Sequence, residues 1–184
     1  MKKILNVFIA AVVLISCSSY PEKVKEVEDL IVRAESMRAK LDSTDEVDLK
    51  HLSEQTQNII RKFKRHLKSE WLTEKQSVYD LSSYRALKKP LKNLSATQES
   101  LEKEIPHRIQ QLNDLKHDIV NDHFESVEAI NDAIFDETER LNIAEENLNT
   151  LIDKLPGLIE IRSRYQVFID SLDQKINEVL EIDE

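Results

Sequence analysis

Glycine is almost missing from this chain: 184 residues contain one, Gly157. Without glycine no Gly-rich phosphate loop, dinucleotide fingerprint, Walker motif or nucleophile elbow can be built, because each needs backbone that turns sharply or lies close against a ligand. Cysteine is equally scarce. The one Cys, Cys17, forms neither an internal disulfide nor a Cys-rich zinc site. Aromatic residues make up 5% of the chain, and no stretch alternates apolar and polar residues as a strand would. Four prolines and one glycine leave little room for long loops. What is present is charge on helix-forming sequence: 33% charged against 40% hydrophobic, with 35 acidic and 26 basic side chains and a net charge of −9. This composition describes long, solvated helices.

The N-terminus carries the most specific pattern. Lys2 and Lys3 precede an apolar run from Ile4 to Ile15 that only Asn6 interrupts. A positive start before a short apolar run is the pattern of a signal peptide, well short of the roughly 18–20 residues a spanning helix needs. The run closes in Leu14-Ile15-Ser16-Cys17. This tetrad resembles the lipobox of bacterial lipoproteins, in which Leu, a small or aliphatic residue and a small residue precede a Cys. The resemblance implies that residues 1–16 are a signal peptide and that the Cys17 thiol takes a diacylglycerol. It also implies that the freed amine takes a further acyl chain such as palmitate. Ser18, where Asp would retain the protein at the inner membrane of enteric bacteria, resembles an outer-membrane lipoprotein by that sorting rule, and other bacterial groups sort differently, which leaves the leaflet open. Two or three acyl chains hold a protein on a bilayer nearly permanently, whereas one does so only marginally. An uncleaved membrane anchor, or a secretory signal in which Cys17 is incidental, are the alternatives.

Residues 17–22 would then be a lipidated tether, and 23–184 a single helical domain. Val24, Val27, Ile31, Ala34 and Leu41 step by threes and fours and predict a helix over 22–42. Ser43, Thr44 and Asp45 are suitable N-caps for a second helix over 46–70, striped by Leu49, Leu52, Thr56, Ile59, Phe63 and Leu67. Thr73 and Gln76 fit a capping box that opens a third segment through Val78, Leu81, Tyr84 and Leu87, ending or kinking near Lys89-Pro90. From Leu91 to Leu112 the beat crosses Pro106, as a kinked helix or as two that meet there. Val120, His123, Val127, Ile130, Ile134, Glu137, Leu141, Ala144, Leu148, Leu151 and Leu155 then keep a heptad, the mark of a supercoiled seam. Pro156-Gly157 predicts a break, with Leu158 to Val179 returning as the second arm of a helical hairpin. The fold expected is all-α: an elongated coiled-coil-like bundle of four or five helices ending in that long hairpin. An arm from 106 to 155 would be about 75 Å long, more than the returning helix covers, so earlier helices or another chain must cover the remainder.

Charge is uneven along the mature part. Residues 18–60 carry −4, residues 61–92 carry +7 and residues 93–184 carry −14. The basic block either meets an external anion or acidic partner, or lies against the acidic C-terminal hairpin. Arg61, Lys62, Lys64, Arg65 and Lys68, with the nearby Trp71, Tyr79 and Tyr84, are the candidate partner contacts. Nucleic acid does not suit an exported, acidic chain.

Glu104-x-x-His107 and Asp114-x-x-His117 superficially match the Glu-x-x-His of di-iron bundles. Pro106 splits the first pair, and His117 and His123 fall about 120° apart on a continuous helix, so no metal site is expected. His123 and Glu137, polar residues on an apolar seam, are candidate register markers. No catalytic constellation and no cofactor motif is visible, and an enzyme is not expected. The function expected is that of a membrane-anchored envelope lipoprotein, a structural or adaptor rod whose heptad seams engage a protein partner or a second copy. The alternatives are a lipid- or small-ligand-binding bundle near Trp71 to Tyr84, and a surface lipoprotein that contacts host or neighbouring-cell molecules.

Overall fold

A computed structural model of the chain describes residues 19–44, 47–72 and 74–182. They form five α-helices: α1 (Pro21–Asp42), α2 (Leu49–His66), α3 (Lys75–Ala86), α4 (Lys88–Val120) and α5 (Val127–Ile182), with a single 3₁₀ turn over Ser69–Trp71. The fold is all-α, with no strand among the described residues.

Local chemistry sets most of the helix ends. Pro21 opens α1 at a position where its missing N–H costs nothing. Asp48 caps α2, its carboxylate accepting the His51 N–H at 2.7 Å. Of the residues expected to do this, Thr44 instead donates to the Leu41 carbonyl and closes α1, Ser43 likewise donates to Lys40, and Asp45 lies outside the described residues. So α2 begins three residues later than expected, and it ends at His66 because Leu67 is extended. Thr73, half of the expected capping box, also lies outside the described residues. Pro90 has no N–H for the Ala86 carbonyl, and α3 ends at Ala86. Pro90 itself sits in the first turn of α4, and α4 runs unbroken through Pro106.

The chain does not reverse at Pro156-Gly157. α5 is one helix of 56 residues, about 84 Å long, that passes straight through both. Burial decides this. Ile169, Leu172 and Ile176 beyond the proline are buried on the same stripe as Leu148, Leu151 and Leu155 before it. Three such side chains contribute on the order of 6 kcal/mol, against roughly 3 kcal/mol for an interior proline. The hairpin lies instead between α4 and α5. Asn121 closes α4, Asp122 takes a left-handed φ of 53°, and the Ser126 hydroxyl accepts the Ala129 N–H to start α5. Val127 stands seven positions after Val120, one full heptad, so the apolar beat crosses this turn in phase and conceals it.

The five helices make three rows. α1 and α2 form the first, α3 and α4 run back as the second, and α5 is the third. Arg33 on α1 bonds Asn142 and Glu145, Arg162 on α5 bonds Gln55, and Lys62 on α2 bonds Asp173 and Asn177. The partners lie 107 to 115 residues apart throughout, so the first and third rows run parallel in one register. Lys116 with Glu28 and Arg108 with Glu137 show the second row antiparallel to both. Adding the common separation to the α1–α2 linker lands on Pro156-Gly157. Gly157, Leu158 and Ile161 in turn line a groove of about 610 Å³ with Pro90 and Leu94, just past the α3–α4 junction. Pro156 of the unbroken α5 therefore lies near the α3–α4 junction, while the end of the α1–α2 linker lies farther along α4, beside Ser95 to Glu102.

The seam on α5 is filled within the single chain: Ile130, Ile134, Leu141, Ala144, Leu148, Leu151 and Leu155 are buried. Glu137 sits among them with its side chain 11% exposed, 3.2 Å from Arg108, which is equally covered. The other expected register marker, His123, is not on the seam but exposed in the α4–α5 turn.

Two outcomes follow from this packing. Gly157 has open space where a Cβ would stand and no positive φ, so Gly157→Ala raises stability by about 0.5–1 kcal/mol in chemical denaturation; a fall would mean that the helix does not run through this position. Arg108→Ala leaves Glu137 with only the half-exposed Arg140, 3.4 Å away on its own helix, and costs about 1–3 kcal/mol, whereas Arg108→Leu with Glu137→Leu is neutral or stabilising by the same measurement.

Candidate functional site at the basic end of the rod

The last turn of α2 places Lys64, Arg65 and His66 at a helix C-terminus, where the peptide dipoles favour cations. The chain then extends through Leu67 and Lys68 into the turn that ends at Trp71. Lys68 Nζ lies 5.8 Å from the centre of the Trp71 ring, a cation–π contact worth about 0.5–1 kcal/mol on an exposed surface. Arg65, His66, Leu67, Lys68 and Trp71 line a cleft of about 330 Å³ with Ile176, Val179 and Leu180 of α5. The result is a half-exposed indole with Lys68 over its ring and Arg65 on the same cleft, at one end of the rod.

The candidate residues divide between this end and other roles. Lys64, Arg65 and Lys68 are exposed, and Trp71 is half-buried beside them. Arg61 is exposed but turned back on its own helix, bonding Asn58 at 2.9 Å. Lys62 is spent within the molecule, 2.6 Å from Asp173 and 2.5 Å from Asn177. The basic block thus contributes both ways: Lys62 fixes α2 on the acidic row, while its neighbours face solvent. Tyr79 is exposed on α3. Tyr84 is corrected: it is a core residue, fully buried. Its hydroxyl lies among Thr56 and Arg162, but neither it nor Thr56 Oγ1 makes a hydrogen bond of proper geometry. Burial pushes the Tyr84 phenol above its ordinary pKa, against the smaller opposing pull of Thr56 and Arg162. Tyr84 falls on the three-four beat of its helix, which already marked it as a core position.

Cys17 lies outside the described residues, but its near neighbour does not. Ser19 Oγ donates to Asp122 Oδ2 at 3.1 Å, which places the start of α1 against the α4–α5 turn, at the end of the rod opposite Trp71. That turn brings together residues the sequence kept apart. Asp118 Oδ1 is 3.1 Å from His123 Nδ1 and 3.6 Å from His117 Nδ1. The 120° separation assumed a helix through residue 123, and α4 stops at Val120. The signal for this was Asn121-Asp122 ahead of Ser126, a turn followed by an N-cap. The hydrogen bond with His123, helped more weakly by His117, holds the Asp118 carboxyl below its ordinary pKa against the opposing desolvation.

No family model, no curated protein and no solved structure matches the chain.

Three substitutions separate core from surface here. Tyr84→Phe removes a buried hydroxyl that lacks a well-made bond, so stability stays within about 1 kcal/mol of the parent or rises. Tyr84→Ala opens a cavity and costs about 3 kcal/mol or more, while Tyr79→Ala changes stability by less than about 0.5 kcal/mol. Urea unfolding followed by circular dichroism checks all three.

Proposed function

We propose that this protein is a bacterial envelope lipoprotein, anchored by acyl chains on Cys17, that acts as a non-catalytic structural or adaptor rod. It holds a basic, aromatic tip away from the membrane for an acidic face of another envelope protein. The observation that carries this reading is the bond between Ser19 and Asp122. It ties the chain two residues after Cys17 to one end of a helix about 84 Å long, and the Lys64 to Trp71 cluster occupies the other end. An anchor and a contact surface at opposite ends are what a spacer requires. The covered α5 seam supports the same reading, since the rod needs no second copy to bury its core. The outer membrane is the favoured site, on the residue after Cys17.

The anchor and the tip are tested separately in cells fed a clickable fatty acid. The natural protein takes up label and fractionates with membranes, and Cys17→Ala loses both; a natural protein that stays unlabelled overturns the anchor. Replacing Lys64, Arg65 and Lys68 together by Glu leaves label and helicity unchanged but abolishes crosslinking of an envelope protein to a photoreactive residue at the exposed position 70. Unchanged crosslinking overturns the tip.

A further inference from the structure

The turn between α4 and α5 gathers donors of a kind that neither the rod nor its tip uses. His117 and Asp118 come from the last turn of α4. His123 is drawn back over them by its own backbone, whose N–H donates to the Asp118 carbonyl at 3.0 Å after Asp122 turns the chain through φ 53°. Asp122 is held in turn by Ser19. The imidazole rings stand 6.0 Å apart and edge to face at 64°, with both Nδ1 atoms turned toward the same carboxylate oxygen. The three donor atoms lie within 4.8 Å of one another.

These spacings match those of a coordination sphere. An ion bonded tetrahedrally to nitrogen and oxygen at about 2.0–2.1 Å holds neighbouring donors roughly 3.3 Å apart. The Asp118 oxygen stands 3.1 Å and 3.6 Å from the two imidazole nitrogens, so two edges of such a tetrahedron are already present. The donor set chooses among metals. Two imidazoles and one carboxylate suit zinc and its neighbours, whereas magnesium and calcium require an oxygen-rich shell. All three side chains are open to solvent, which gives the ion a path of entry and leaves the fourth position to water.

We propose that His117, Asp118 and His123 form a binding site for one divalent transition-metal ion of the zinc class. The ion closes the α4–α5 turn through two residues on one side of the reversal and one on the other. The site stands on this turn alone, and the proposal does not depend on how the N-terminus is anchored.

The test uses the purified full-length chain, stripped of metal with a chelator and titrated with zinc chloride by calorimetry. One zinc ion binds per chain, magnesium does not replace it, and cobalt gives the visible absorption of a four-coordinate centre. His117→Ala and His123→Ala each weaken zinc binding at least about tenfold, and the double variant abolishes it. His107→Ala, on the same helix but away from the turn, changes nothing. Far-ultraviolet circular dichroism of the double variant matches the parent, so the loss is not one of folding. Absence of zinc uptake, or uptake that survives in the double variant, overturns the site.

Discussion

A helix of 56 residues cannot stand alone with an apolar stripe along most of its length, and the covering of that stripe positions everything else in this protein. α5 presents its stripe from Ile130 to Ile176, and covering it takes two further rows of nearly the same length. The chain builds each from two helices, α1 with α2 and α3 with α4. Because the stripe repeats every seven residues, each row has few registers in which its own buried residues meet it, Ala34 and Leu41 in the first row and Ile105 and Leu112 in the second among them. The nearly constant separation of partners along the first and third rows is the outcome of that constraint.

Polar groups inside the rod narrow the choice further. Apolar layers of similar size tolerate a slip of one heptad, because one leucine layer packs nearly as well as the next. Arg108 with Glu137 does not tolerate it: a slip would set Arg108 against hydrocarbon and leave Glu137 with only Arg140 of its own helix. The Arg33 and Lys62 contacts to α5 add the same discrimination at the half-buried edge, one on each side of the mid-rod interruption. Contacts of this kind contribute little net stability and much selectivity among alignments.

Most of the fold was legible in the sequence because helical periodicity is local. α1 could be read to within one residue from Val24 to Leu41, and the α5 seam from Ile130 to Leu155. Connections were read less well, for a physical reason. Pro156-Gly157 looks like a stop when judged by backbone propensity, yet the burial of Ile169, Leu172 and Ile176 outweighs it. The true reversal at Asn121 to Ser126 was hidden because a turn of one heptad leaves the apolar beat in phase. That one displacement moved the hairpin and also separated His117 from His123. In the candidate site, composition identified the basic block around Lys64 and Trp71 but could not distinguish Lys62, which answers Asp173 across 111 residues, from its exposed neighbours. Tyr84 shows the converse: its place on the apolar beat was the better guide, and its proximity in sequence to Trp71 was not.

The two junctions and the proline of α5 give the rod an uneven mechanical profile. A beam with two jointed members and a third that a proline only weakens is most compliant over the stretch that holds those three points. On either side, α1 with the start of α5, and α2 with its end, are braced by continuous backbone hydrogen bonding. In the middle stretch, the α1–α2 linker, the Ala86–Lys88 junction and Pro156 each remove part of that bracing, and the side chains of Leu158 and Ile161 are only partly covered. Bending strain applied at the ends is therefore absorbed near mid-span, and the two halves keep their own packing while the angle between them changes.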